Sequence, residues 1–443
     1  MRTRRFPPDF LLGCATAAHQ VEGHTTNDWS RWERDHPDRV AGGATAEVAC
    51  DHYARFREDF AQLAAASHSG HRLSVEWSRV EPTPGRFDRA ALRHYGEVVR
   101  TMRGWGIEPI VTLHHFTFPR WLADHGGARS AEAPRVFARF AAACAETFGD
   151  SVRWWITVNE PNVLAFMGHL TGAWPPGEVS MSGALATLRG LALMHAAAYR
   201  ALHTVARRRG WPAEVSIAHA ERRLFAKRPR SALDRAAAAL PDLVFNRCFL
   251  RSCQHGRLMP PLGAGETAPG LRDSLDYLGV NYYCDDVVAF DAGQWRSLFG
   301  RREPDARFPL SSFGWAINPP GLRRAVNDLW SEFGLPIIVT ENGVADEDDE
   351  LRPAYLVDHL NALLDAIEDG VDLRGYMHWT AWDNFEWAEG YTKRFGMYAV
   401  DPVTLSRVPK PSAALFAGIC ATREVPAAAS RHRRTIEPAG ARI

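Results

Sequence analysis

The sequence predicts a single-domain α/β fold, a (β/α)8 barrel of eight parallel strands, and two observations carry that prediction. Short apolar β-type runs alternate with longer amphipathic or Ala-rich segments from one end of the chain to the other, and the alternation is counted eight times. An open doubly wound sheet would alternate in the same way, but the G-x-G-x-x-G turn that usually follows its first strand does not follow this one.

The runs fall in order. FLLGCA near 10–15 comes first. HRLSVEW at 71–77 follows the helix candidate DHYARFREDFAQLAAA, and EPIVTLH at 108–114 follows RAALRHYGEVVRTMRGW. VRWWITV at 152–158 follows PRVFARFAAACAETFG, and EVSIAHA at 214–220 follows GALATLRGLALMHAAAYRALH. DYLGVNYY at 276–283 and LPIIVT at 335–340 come next, and PAYLVDHLNALLDAIEDG leads into GYMHWT at 375–380. β-branched and aromatic residues fill the runs, and strongly amphipathic stretches separate them. The segment from about 284 to 320, rich in Asp, Gly, Arg and Pro, is too long for an idle connection and is expected to form a lid or rim. No linker splits the chain, so residues 1–421 are expected to form one catalytic domain. Residues 422–443, containing EVPAAASRHRRTIEPAGARI, are expected to form a poorly ordered tail.

Composition narrows the function. With 443 residues and 46% hydrophobic content the chain can bury a large core. Lys and Arg balance Asp and Glu at 52 each, which leaves no basic footprint for nucleic acid and no polybasic patch for a membrane surface. The expected partner is a small molecule. Seven scattered cysteines without C-x-x-C spacing read as reduced thiols. Pro7, Pro8 and Asp9 stand where a signal peptide needs an apolar run, and no 18-residue apolar span occurs, so a cytoplasmic location is expected.

In a barrel of this kind the chemistry sits at the C-terminal ends of the strands. The fourth run ends in Asn159-Glu160 and the seventh in Glu341-Asn342-Gly343. The third ends in His114-His115, the sixth in Asn281-Tyr282-Tyr283, and the eighth leads from Trp379 to Trp387 through Glu386. Two glutamates on well-separated strands suit a retaining glycosidase, which needs a nucleophile and an acid/base with carboxyl groups about 5–5.5 Å apart. Glu160 is the expected proton donor and Glu341 the expected nucleophile, each held by its own environment at a different pKa.

These motifs also resemble glycoside hydrolase family 1, the β-glucosidase family, along nearly the whole chain. FLLGCATAAHQVEG is similar to the family's N-terminal signature, TVNEP to its acid/base motif and VTENG to its nucleophile motif. HRLSVEWSRVEP, GIEPIVTLHHFTFPRWL, GVNYY, WDNFEWAEGYTKRFGMYAVD and RVPKPSA fall in family order. The resemblance implies that Gln20, His115, Asn159, Glu386 and Trp387 contact the sugar hydroxyls and that Trp379 forms the aromatic floor beneath the ring. It implies that Arg72 and Tyr283 flank the nucleophile. Trp174, Trp315 and Trp382 are expected at the rim of the aglycone site. No cofactor or metal is implied. His52, His68, His71, His114, His195 and His219 read as structural, having no partner at metal-ligand spacing.

This sequence departs from the family pattern where Phe116-Thr117 stands for the usual Trp-Asp, His19 for a tyrosine and Ala381-Trp382 for Leu-Leu. The departures blur specificity and leave both glutamates in place. The expected activity is hydrolysis of unphosphorylated β-glycosides, β-glucosides first, with β-fucosides and β-galactosides possible. A transglycosidase would reveal itself by products formed with added alcohol, and a metal-dependent hydrolase by loss of activity in excess chelator. A non-catalytic sugar-binding relative usually lacks one carboxylate, and this chain has both.

Overall fold

A computed structural model describes residues 4–294 and 297–427 of the chain. Eight strands close into a barrel in which each is parallel to both neighbours: β1 (Leu11–Ala15), β2 (Gly70–Ser74), β3 (Glu108–His114), β4 (Trp154–Asn159), β5 (Glu214–Ala220), β6 (Leu278–Asn281), β7 (Ile337–Asn342) and β8 (Leu373–Trp379). Every run expected from the sequence contributes one strand, and β8 pairs back onto β1 through Gly375↔Leu11 to Trp379↔Ala15.

The crossover helices begin where a side chain can satisfy the free N–H groups of a first turn. Asp88 caps α2 (Arg89–Gly104) by accepting from Ala90 and Ala91, and Ser180 caps α4 (Met181–Arg209) by accepting from Gly183. Gly210, at φ 78°, ends α4 in the left-handed conformation that glycine adopts without strain. The remaining sequence-named helices are α1 (His52–Ala65), α3 (Ala133–Phe148) and α5 (Arg352–Glu368). The second run is shorter than its apolar pattern. Glu76 turns the chain out of β2 by accepting from Ser78 N, which caps the short helix Trp77–Val80.

Strand alternation builds two cores. Ile110, Trp154, Ile156, Ala218, Ile338 and Met377 fill the barrel interior, while Val111, Trp155, Val215 and Val339 face the helices. Both faces of each strand are therefore apolar, which is why the runs read as near-continuous in the sequence.

Two expectations are corrected. The 284–320 segment contains paired strands, Asp286–Phe290 antiparallel to Gly300–Pro304, and Leu224–Ala226 from the β5 loop joins them as a third. Charged residues on the exposed strand Gly300–Pro304 hid that pairing from the apolar pattern. The domain also does not end at 421, because Glu424 and Val425 pair antiparallel with Arg5 and Arg4, and Val425 is fully buried. The remainder of the expected tail, 428–443, lies outside the described residues.

Candidate active site

Both glutamates stand at breaks in strand register. Along β4 the pairing with β5 shifts between Ile156 and Asn159, and along β7 the pairing with β6 shifts between Val339 and Glu341. Such irregularities re-aim the side chains that follow them and concentrate beside active sites. Glu160 then takes a left-handed conformation, φ 41° and ψ 61°, as the residue before the helix Pro161–His169. A non-glycine residue held there is strained and persists only where its surroundings over-determine it. Gly343 serves the other glutamate's strand: a Cβ at this position would lie 1.9 Å from the carbonyl oxygen of Trp379, so only glycine lets the end of β7 approach β8.

Glu341 has a donor on each oxygen. Arg72, fully buried on β2, donates from Nη1 to Oε1 at 2.5 Å, and the Tyr283 hydroxyl donates to Oε2 at 2.6 Å. Arg72 is itself fixed, since Nη2 donates to Asn159 Oδ1 at 2.6 Å and Nε to Thr112 Oγ1 at 3.0 Å. Glu160 has a neutral partner instead. Asn281 Nδ2 donates to Glu160 Oε1 at 2.9 Å and to Asn159 Oδ1 at 3.1 Å, and Thr340 orients that amide by donating to Asn281 Oδ1 at 2.7 Å.

The two environments separate the acidities. Burial, and then the negative charge of Glu341, push Glu160 up to about 8. Burial also raises Glu341, but Arg72 and the Tyr283 hydroxyl oppose it. Two buried carboxylates whose charges repel do not both ionise readily. The proton therefore belongs on Glu160, which lacks the direct cation.

Gln20, His115, Asn159, Trp379, Glu386 and Trp387 converge on the same end of the barrel. Gln20 Nε2 donates to the Phe385 carbonyl at 2.8 Å and to Glu386 Oε2 at 3.3 Å, leaving its buried Oε1 without a partner among the described residues. Asn159 Oδ1 is occupied by Arg72 and Asn281, so its Nδ2 donates to His115 Nε2 at 3.2 Å. That contact places the imidazole proton on Nδ1, which has no partner among the described residues. Burial, and then Arg72, hold His115 well below the usual histidine range, so the ring is neutral. Its plane lies nearly parallel to those of Trp379 and Trp387, at 13° and 11°. Glu386 is pushed up to about 8 by burial, against donation from Trp379 and Gln20. The arrangement offers acceptors, donors and apolar ring faces side by side, which is what a polyhydroxylated ring requires.

Two of the three rim tryptophans lie beside this site. Trp174 packs against Phe116 and Trp387 with ring centroids 5.0 and 5.7 Å apart, and Trp315 lies 5.2 Å from Tyr283. Trp382 is not at the rim. It is fully buried against His52 and His71, between barrel and α1. Thr380 Oγ1 donates to the Ala15 carbonyl and Ala381 N to the same oxygen, which pins the chain to β1 and directs the next side chain outward. The departures His19 and Phe116 both pack on Trp387, and His19 pairs with Glu33 at 2.7 Å. His195 is structural as expected, bonded to Thr157 and Ser274.

Thr340 and Thr112 are residues of this network that sequence reasoning did not single out, and Asn281 was named as a strand end without a role. The signal for Asn281 was available, as a polar side chain ending an apolar strand directly before Tyr282-Tyr283. Threonines within strands carry no such mark.

The sequence model of glycosyl hydrolase family 1 matches residues 2–425. The chain is 31% identical to β-glucosidase A of Thermotoga maritima over 95% of its own length and 98% of that protein's. It is 30% identical to a β-galactosidase of Pyrococcus woesei, with the same coverage of both chains. The solved family 1 β-glucosidase of Thermotoga maritima in complex with isofagomine lactam superposes with a TM-score of 0.89 at 30% identity, covering 96% of this chain and 100% of that one. With the family model and these relatives matching nearly its whole length, this chain belongs to glycosyl hydrolase family 1.

Proposed function

We propose that this family 1 enzyme hydrolyses unphosphorylated β-glycosides, β-glucosides foremost, with Glu341 as nucleophile and Glu160 as acid/base. The unequal treatment of the two carboxylates carries the reading: Arg72 and Tyr283 hold Glu341 for attack, while Glu160, held only by Asn281, keeps a proton to give. In the first step a Glu341 oxygen bonds to the anomeric carbon as the bond to the leaving oxygen breaks, and Glu160 protonates that oxygen. Esterification removes the negative charge of Glu341, the second-largest cause of the raised Glu160 pKa. Glu160 then becomes acidic enough to stay ionised and takes a proton from the water that releases the sugar. Seven buried, free cysteines support a reducing compartment and hence a cytoplasmic enzyme.

The pH profile tests the acid/base assignment. Because Glu160 is raised and must be protonated, kcat/KM is expected to hold on the alkaline side until about pH 8 and to fall above it. It should also fall in acid as Glu341 takes up a proton. In Glu160→Gln, assayed with an activated aryl glycoside, the alkaline limb should vanish. Its persistence would assign the limb to another group.

A second test concerns the sugar. Glu386 sits in a partly dry pocket with Gln20 and Trp379 as its donors and no cation paired to it among the described residues. A 6-phosphate placed against that carboxyl group would find no compensating positive charge. Aryl β-glucoside is expected to exceed aryl 6-phospho-β-glucoside in kcat/KM by at least about a hundredfold. Preference for the phosphorylated substrate would contradict the role given to Glu386.

A further inference from the structure

The loops after β5 and β6 bring two arginines and two aromatic rings together on the Glu160 side of the barrel. Arg222, two residues past β5, lies 6.0 Å from the ring of Trp315, which also stacks on Phe313 at 4.1 Å and packs against Tyr283, the donor to Glu341, at 5.2 Å. Arg302, on the strand Gly300–Pro304, lies 5.9 Å from the ring of Phe245. Phe245 is tied to the acid/base by Asn162, two residues beyond Glu160, which donates to the carbonyls of Phe245 at 3.0 Å and Ala220 at 2.8 Å. A π-helical turn at Leu243–Arg247 shapes this corner, and Asn246 within it exchanges hydrogen bonds with the backbone of Arg222. Such turns recur at functional sites.

The charges here do not balance. Asp286 accepts from Arg222 through both oxygens, at 2.7 and 2.9 Å. The neighbouring Asp285 is taken by Arg324 and Asn318, and Glu303 by Lys227 and Arg301. Arg302 pairs with Val288 in the strand ladder, but its half-buried side chain has neither an ion pair nor a hydrogen bond among the described residues. Burial, and then repulsion from Arg222, push its guanidinium down to about 10. Asp286 attracts it but is already paired to Arg222 through both oxygens, so the planar fork of Arg302, which matches a carboxylate, is left without one of its own.

We propose that Arg302, seated on the buried Phe245 and supported by Arg222, recognises a carboxylate on an aromatic leaving group, with the half-buried Trp315 receiving its ring. The proposal rests on the glycosidase reading, in which the leaving group departs on the Glu160 side. It makes this enzyme selective for β-glycosides of aromatic acids.

The test compares 4-carboxyphenyl with 4-carbamoylphenyl β-glucoside, two leaving groups of the same shape that differ in charge. The ratio of their kcat/KM values cancels any general loss in a variant. The ratio is expected to favour the carboxylate in the wild type and to fall about ten- to a hundredfold in Arg302→Met. Arg302→Lys should retain part of it, and added salt should lower it in the wild type alone. A ratio that Arg302→Met leaves unmoved overturns the proposal while the glycosidase reading stands. Failure of the wild type to turn over either glycoside overturns both.

Discussion

Glu341→Gly is expected to lose hydrolysis of aryl β-glucosides by at least about four orders of magnitude, because the reaction loses its covalent route. Removing the side chain vacates the space between Arg72 and Tyr283, whose donors stay in place. An α-glucosyl fluoride mimics the missing intermediate in configuration, and its fluoride leaves without needing a proton. Glu160 remains to deprotonate an acceptor. The variant should therefore transfer glucose from the fluoride to an added aryl glycoside, giving a β-linked product that accumulates. Chromatography of the products checks this, and retained hydrolysis in the variant would end the assignment.

Glu160→Ala is expected to lose activity in proportion to the need for a proton. Alkyl and cellobiose-like substrates should suffer by about 10³ or more, and dinitrophenyl glycosides much less in the first step. The second step also slows, since no base activates water. Azide needs no base, so it should restore turnover and leave β-glucosyl azide, the anomer formed when it opens a glycosyl ester on Glu341. An α-azide would mean that the two roles are reversed. Asn281→Ala provides a graded companion. It removes the donor to Glu160 Oε1 and one of the two donors to Asn159 Oδ1, and loss in kcat/KM of about tenfold to a hundredfold is expected.

Much of this site was legible in the chain before its structure. The eight strands could be read because parallel barrel strands are apolar on both faces, and the strand ends could be read because Glu160 and Glu341 interrupt that pattern. The register shifts at β4 and β7 could not. A shift by one residue changes which way a side chain points without changing which residues are apolar, so Thr157-Val158 and Thr340 look like ordinary strand in the sequence. Trp382 was misplaced for a related reason: aromatic character marks a rim and a core equally, and only the anchoring of Thr380 and Ala381 to Ala15 decides between them. The strands at 286–290 and 300–304 escaped because their pairing is local and charged. Arg222 and Arg302 are 80 positions apart, and nothing in either segment alone announces that they come together with Asp286 paired to Arg222 alone.

The most direct measurement is to trap the glycosyl-enzyme. Incubation with 2,4-dinitrophenyl 2-deoxy-2-fluoro-β-glucoside slows both steps through the fluorine and speeds the first through the leaving group, so the covalent species should accumulate. Peptide mass spectrometry of the inactivated enzyme is then expected to find one fluoroglucosyl group per chain, carried on Glu341 within the IIVTENG segment. A label on Glu160 or any other residue, or rapid turnover with no label at all, would contradict the account.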